Sequence, residues 1–419
     1  MIKNINRTII SLVAAATLTL SLFGCVNEIR GEPIMLPESN DVVGLQLDDK
    51  YLNSSMDFSI EIFKKTYTSE INTLVSPLSI VTALALAANG ADNETLSQME
   101  HVLTNGLPIA ELNGYLYTYI NSLPSNEKAK FHLANSIWFK DVASLKMQDD
   151  FLQTSIDYYD TSIFKEIFDN TTVSKVNNWV KENTHEMIDE IIDSIDSAMV
   201  TFLINALAFE AEWAKPYTLD NINEDIFIDI NGKKRDINMM HSDESIYLEN
   251  ENVTGFIKPY ANDTYSFVAI LPNESIDFND YVSQLSSEEI IDLLSKRKNE
   301  KVVTSLPKFE YDFSIKLSDT LFCMGMEDAF IGPKADFTKM AISEEGNIYI
   351  SDVIHKTYIK VDELGTKAGA VTAIIMKSFG FIEASPKEVI LDRPFVYMIV
   401  DNKTNLPIFI GTVITFNNK

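Results

Sequence analysis

The chain of 419 residues is 46% hydrophobic, enough for a large buried core, and its length alone leaves room for more than one domain. It carries 34 basic against 61 acidic residues, a formal charge of −27, which disfavours nucleic acid and anionic lipid as partners because binding phosphate requires cationic patches. No internal repeat or low-complexity block divides it, and high acidity suits solubility outside a cell.

The first 25 residues have the pattern of an export signal. Lys3 and Arg7 give a positive start, Ile9 to Phe23 forms an apolar segment short for a bilayer span, and Leu22-Phe23-Gly24-Cys25 ends it. That ending resembles the lipobox of bacterial lipoproteins, which implies lipid attachment at Cys25 and export to the cell surface or beyond. Phe23 is bulkier than the small residue usual there, and plain secretion with cleavage nearby is the alternative. Residues 26–50 are largely polar, contain Gly31, Pro33 and Pro37, and lack periodicity. They are predicted to be a flexible tether, leaving 51–419 as the folded unit. Cys323 is then the remaining thiol, so no intramolecular disulfide forms. Within the helix-like apolar run Ile315 to Met324 it is expected to be a buried small hydrophobe.

The folded part begins with helices. Met56 to Thr66 sets Phe58, Ile62 and Phe63 on one face, Leu78 to Ala88 is rich in Ala and Leu, and Asn93 to Leu103 and Leu107 to Leu123 follow. Ser76 suits the N-cap of the second helix and Pro77 its first position, but Ser79 inside the helix has no local reason. Phe131 to Phe139 alternates as a strand. Val173 to Ile192 is predicted helical, with Val176, Trp179, Val180, Met187 and Ile191 spaced for one face. Its His185-Glu186-Met187-Ile188-Asp189 lacks the second histidine of a zinc-protease motif, and no metal site is expected. The apolar run Met199 to Phe209 suits a strand covered on both faces. Asn205 in its middle needs hydrogen-bond partners, as does His355 within Ile348 to Ile359. Short strands fill Asp225 to Leu271, with a turn at Asn231-Gly232. Two helices are expected between Phe278 and Lys298, a strand over Lys301 to Phe309, and a strong strand pattern from Asn347 to Lys360. Val389 to Leu391, Phe395 to Val400 and Leu406 to Thr415 read as the last core strands.

Between these lies Val361 to Phe381, small residues and Thr first, then β-branched and apolar ones. Thr366, Ala368, Ala370, Thr372, Ile374 and Met376 fall on one side, and Lys367, Gly369, Val371, Ala373, Ile375 and Lys377 on the other. Such a segment is able to stay extended in solvent or to become a sheet strand. Its Glu363-x-Gly365-Thr366 opening and small residues resemble the reactive-centre loop of serpins, and the resemblance runs from about Tyr51 to Phe416. Asn72 to Ile80, Trp213 in Glu212-Trp213-Ala214-Lys215-Pro216-Tyr217, Leu306-Pro307-Lys308-Phe309 and Ala335-Asp336-Phe337 are similar to further motifs of that family.

The resemblance implies an α+β serpin fold, about eight or nine helices around three β-sheets, with residues 363–391 as an exposed loop. It implies a hinge of Glu363, Gly365, Thr366, Lys367, Ala368, Gly369, Ala370, Val371 and Thr372. It implies a shutter of Ser76, Ser79, Asn205 and His355 under the central sheet, where histidine and asparagine hydrogen-bond between two strands that must separate. At the top of the sheet it implies a breach with Trp213 and a Lys308–Glu363 latch. The function implied is a monomeric suicide-substrate inhibitor of serine proteases, not an enzyme and without a cofactor. A protease attacks the loop, forms its acyl-enzyme, and the freed arm enters the central sheet as a new strand. Lys367 departs from the family's usual glutamate but points outward. Counting from the hinge puts the scissile bond at Phe379-Gly380. Counting back from Arg393-Pro394-Phe395 points toward Glu383, and Phe381-Ile382 is the second candidate. An aromatic residue there suits chymotrypsin-like, subtilisin-like or elastase-like proteases with apolar pockets. Lys377 keeps trypsin-like targets in view, and cysteine proteases are a further class of partner.

Other functions find less in the sequence. It contains no Gly-x-Ser-x-Gly elbow, phosphate loop, dinucleotide fingerprint or Cys/His cluster. His355 with Ser76 or Ser79 would make a catalytic pair only if exposed, and both stretches are expected to be buried. An anchored binding lipoprotein rests on Cys25 alone, with the membrane reached only through the lipid. A serpin that acts merely as a protease substrate is the remaining alternative.

Overall fold

The computed structural model describes residues 38–196, 199–366 and 386–416. Asp48 caps the first helix, α1 (Asp49–Thr66), by accepting from the Tyr51 amide at 3.0 Å, so the chain turns helical just before the expected end of the tether at Lys50. Upstream, the Asn40 amide donates to Asp157 Oδ1 at 2.8 Å and the Leu45 amide to Gly114 O at 3.0 Å. From residue 38 onward the predicted tether is thus bound to the body, through local polar contacts that carry no periodic signal.

A short strand, β1 (Leu74–Val75), leads into α2 (Pro77–Ala88), which opens as read, with Pro77 first and Ser76 accepting from the Ser79 amide. Then come α3 (Asn93–Thr104), α4 (Ile109–Ser122), β2 (Ala129–Lys140), β3 (Leu145–Met147), α5 (Asp149–Tyr159), β4 (Thr161–Glu166) and α6 (Asn170–Asn183). The helix predicted over Val173 to Ile192 therefore stops early. His185 and Glu186 take left-handed φ values of 51° and 62°, and Asn177 Oδ1 accepts from the amides of Ile191 and Ile192. Met187, Ile188 and Ile191 still pack with Trp138, Val176 and Val180. Burial of those side chains, which a folded-back loop satisfies as well as a helix, is what the spacing reported.

The apolar run becomes β5 (Thr201–Glu212). β6 (Ile222–Ile228) and β7 (Lys234–Glu244) pair across the Asn231-Gly232 turn, and β8 (Ile246–Glu249), β9 (Val253–Pro259) and β10 (Tyr265–Pro272) form a meander. The two expected helices are α7 (Phe278–Gln284) and α8 (Ser287–Ser295). The strand predicted over Lys301 to Phe309 is divided at Lys308 into β11 (Val302–Pro307) and β12 (Phe309–Lys316), which belong to different sheets. After α9 (Ser318–Cys323), Cys323 is exposed rather than buried, because this short helix turns Leu321 into the core. β13 (Ala341–Ser343) precedes β14 (Ile354–Val361), shorter than the run from Asn347 suggested, then β15 (Gly365–Thr366), β16 (Lys387–Ile390), β17 (Phe395–Asp401) and β18 (Pro407–Val413).

These strands form the α+β architecture expected. One sheet has the order β1-β18-β17-β10-β9-β8, a second β16-β11-β7-β6, and the central one β12-β14-β15-β5-β2-β4, beside a small β13-β3 pair. α2 packs between β5 and β18, joining two sheets into one core. β10, β17 and β18 are buried at every position, which is why they read as continuous apolar runs. α6 lies on the central sheet through Val176 and Val180 against Trp138 and Ile204.

Candidate functional site

The central sheet has an unusual third strand. β15 is only Gly365 and Thr366, placed between β14 and β5, with Thr366 opposite Val361 on one side and Ala211 on the other. Among the described residues β14 and β5 share no ladder of their own; they are joined through β15. Facing strand edges carry backbone donors and acceptors that a strand between them is able to pair. β15 supplies its beginning.

Three successive carbonyls leading into β15 are held. Trp213 Nε1 donates to Asp362 O at 2.8 Å, the Tyr217 amide to Glu363 O at 2.9 Å, and the Trp213 amide to Leu364 O at 2.8 Å. Glycine is needed at 365 because a Cβ there would lie 2.0 Å from Ala211 O. The Thr366 side chain is buried, its hydroxyl 2.6 Å from Tyr260 Oη, and the Tyr260 ring stacks on Trp213 at 4.5 Å. Glu363 pairs with Lys308 at the rim. Burial opposes ionisation of Glu363, but the Lys308 ammonium outweighs it and holds the carboxyl below its usual range.

Beneath the sheet, a chain of hydrogen bonds crosses between strands. The Ser76 amide donates to His355 Nε2 at 3.1 Å, the Ser79 amide to Ser76 Oγ at 3.3 Å, and Ser79 Oγ to Asn205 Oδ1. Asn205 Nδ2 continues to Asn135 Oδ1 at 2.7 Å, and Asn135 Nδ2 to Tyr159 O at 2.8 Å. The four predicted residues do meet. Contrary to expectation, however, His355 and Asn205 are connected through α2 and not by a direct bond across the strands. This gives Ser79 its reason inside a helix. His355 accepts from an amide, not from a serine hydroxyl, so the imagined catalytic pair has no proton relay. Among the described residues no cluster of three or more His, Cys, Asp or Glu is arranged to hold a metal.

The whole of this geometry can be set beside known proteins. A family model described as Serpin (serine protease inhibitor) matches residues 53–416. The chain belongs to the serpin family. It is 32% identical to an uncharacterized serpin-like protein of Thermococcus kodakarensis over 88% of this chain and 87% of that one. Among solved structures it is 49% identical to the thermophilic serpin tengpin. The native form of tengpin matches with a TM-score of 0.88, covering 92% of this chain and 100% of that one. The latent form matches with a TM-score of 0.81 over 90% of this chain and 100% of that one.

In this serpin the structure places Trp213, Lys308, Glu363, Gly365 and Thr366 in one cluster at the top of the central sheet. Lys367, Ala368, Gly369, Ala370, Val371 and Thr372, the candidate bonds Phe379-Gly380 and Phe381-Ile382, and Cys25 lie outside the described residues. The sequence gives no role to Tyr217, present only within the Trp213 motif, or to Lys258 and Tyr260, whose only signal is a lysine and an aromatic at the end of β9.

Burial depresses the His355 pKa from 6.5 to about 4. The native state therefore refuses a proton that the unfolded chain accepts as pH falls below 6.5. The His355 contribution to stability is full above that value, declines between pH 6.5 and 4 and is constant below, a loss of roughly 3 kcal/mol. Urea unfolding midpoints across this range should show the decline, and His355→Gln should flatten it. An unchanged slope in the variant would place the titration elsewhere.

Proposed function

We propose that this serpin is an irreversible suicide-substrate inhibitor of serine proteases with apolar primary pockets, chymotrypsin-like, subtilisin-like or elastase-like. The observation that carries the reading is the seat of Gly365 and Thr366 between β14 and β5. The serine hydroxyl adds to the Phe379 carbonyl and an ester forms. The Phe379-Gly380 bond breaks, and the Gly380 amine leaves with a proton from the protease histidine. The freed upstream arm then follows Thr366 into the sheet. Ala368, Ala370 and Thr372 share its inward phase and are small enough to enter. Carried along by its ester, the protease loses the geometry that would hydrolyse it.

Mixing the mature protein with chymotrypsin or subtilisin is the test. An SDS-resistant band near the summed masses is expected; cleaved serpin alone would reduce the reading to a protease substrate. We further propose export with lipid attachment at Cys25. Mass spectrometry of membrane-extracted protein should find a diacylated N-terminal cysteine, and an unmodified terminus in the medium would replace the anchor with plain secretion.

A further inference from the structure

The two residues that hold the hinge carbonyls are themselves held by a buried cation. Lys258, near the end of β9, is 1% exposed. Its Nζ donates to Glu244 Oε1 at 2.6 Å and to Lys215 O at 3.2 Å. The same ammonium lies 4.2 Å from the centre of the Tyr217 ring and 5.5 Å from that of Trp213. Those rings meet edge to face at 85°, and the cation occupies the corner between them. Glu244 closes β7, also buried, and accepts from Ser242 Oγ at 2.7 Å.

An ion pair in this position is a poor way to fill a core. A buried pair is rarely more stabilising than apolar side chains of the same volume, because desolvation offsets its attraction. What the ammonium supplies is direction, since it draws two ring faces and a carbonyl to one point. Trp213 follows β5 directly and bridges to Tyr260, whereas Tyr217, four positions on, lies in the connecting segment. The backbone at Trp213 is fixed on the β9 side by its bridge to Tyr260 and by the Ala214 amide, which donates to Pro259 O at 3.0 Å. The cation sets Tyr217 against it, at the spacing where the two amides meet Leu364 O and Glu363 O.

Resting on the inhibitory reading above, we propose that Lys258 is a positioning residue of the hinge. Neutralised by Glu244, it pins Trp213 and Tyr217 so that their amides keep Gly365 and Thr366 started in the central sheet. Once the loop is cut, insertion then begins from a seated strand. Without the pin, insertion must first recapture the hinge, and deacylation gains time to release the protease.

The experiment uses the full mature protein. Lys258→Met with Glu244→Gln removes both charges at similar volume and leaves no orphan carboxylate. Lys258→Arg keeps the cation over the rings. Tyr217→Leu keeps the ion pair and removes one ring, giving a second route if the double variant does not fold. Deuterium exchange of a peptide covering residues 362–366 is expected to speed up several-fold in the double variant and in Tyr217→Leu, and to stay near native in Lys258→Arg. With chymotrypsin, the moles of serpin consumed per protease trapped should rise several-fold at an unchanged association rate. Native exchange and native stoichiometry in the double variant would overturn the proposal. If no variant and no native protein traps a protease, the inhibitory reading falls, and the exchange measurement still decides the role of Lys258.

Discussion

Replacing Thr366 by arginine is expected to turn the protein from an inhibitor into a substrate, cut at the same bond but no longer retaining the protease. Thr366 is the first side chain of the new strand, buried below Trp213 and bonded to Tyr260. An arginine there has two outcomes. It is forced into the sheet as a buried, unpaired cation, at a cost on the order of 3–5 kcal/mol, or it stays out and the hinge never seats. If most of that cost falls in the step that starts insertion, the step slows roughly a hundredfold to a thousandfold. Hydrolysis of the acyl-enzyme does not involve Thr366 and keeps its rate, so it wins the competition. Gel analysis should show loss of the SDS-resistant band with full accumulation of cleaved chain. Retained inhibition by Thr366→Arg would sink the inward phase assigned to this residue.

Cleavage of the loop by a protease that is not trapped should raise the melting temperature by roughly ten degrees. Among the described residues, β14 and β5 meet only through the two residues of β15. A strand of about ten residues filling the space would satisfy backbone groups on both sides. At about 1 kcal/mol for each of about twenty bonds, less about 1–2 kcal/mol for ordering each residue of the arm, the gain is at most about 10 kcal/mol. Circular dichroism before and after nicking reads this directly. An unchanged midpoint after complete cleavage would show that the arm stays outside the sheet, and the trapping mechanism would fall with it.

Much of the site was legible because its cues are local. Ser76 and Pro77 announce a helix start through capping and a fixed φ. The alternation of Thr366, Ala368, Ala370 and Thr372 marks one face of a strand before any sheet is known. Asn205 and His355 stand out as polar residues in apolar runs, and the need to satisfy them predicted partners, though not the route through Ser79. The early end of α6 was not legible, since Met187 and Ile191 are buried by a loop that Asn177 folds back. Neither was the exposure of Cys323, which depends on which side of a short helix meets the core.

By itself, then, the sequence determined where most of the main strands and helices lie, though not all their ends, and which arm is patterned to become a strand, because period and propensity are properties of neighbours along the chain. Only the tertiary structure decided where that arm begins to enter and what holds it there. Lys258 and Glu244 come from two strands, β9 and β7, and Trp213, Tyr217 and Tyr260 from the segments that follow β5 and β9. Their effect on Glu363 to Thr366 arises from distances of a few ångströms between groups that no sequence spacing relates.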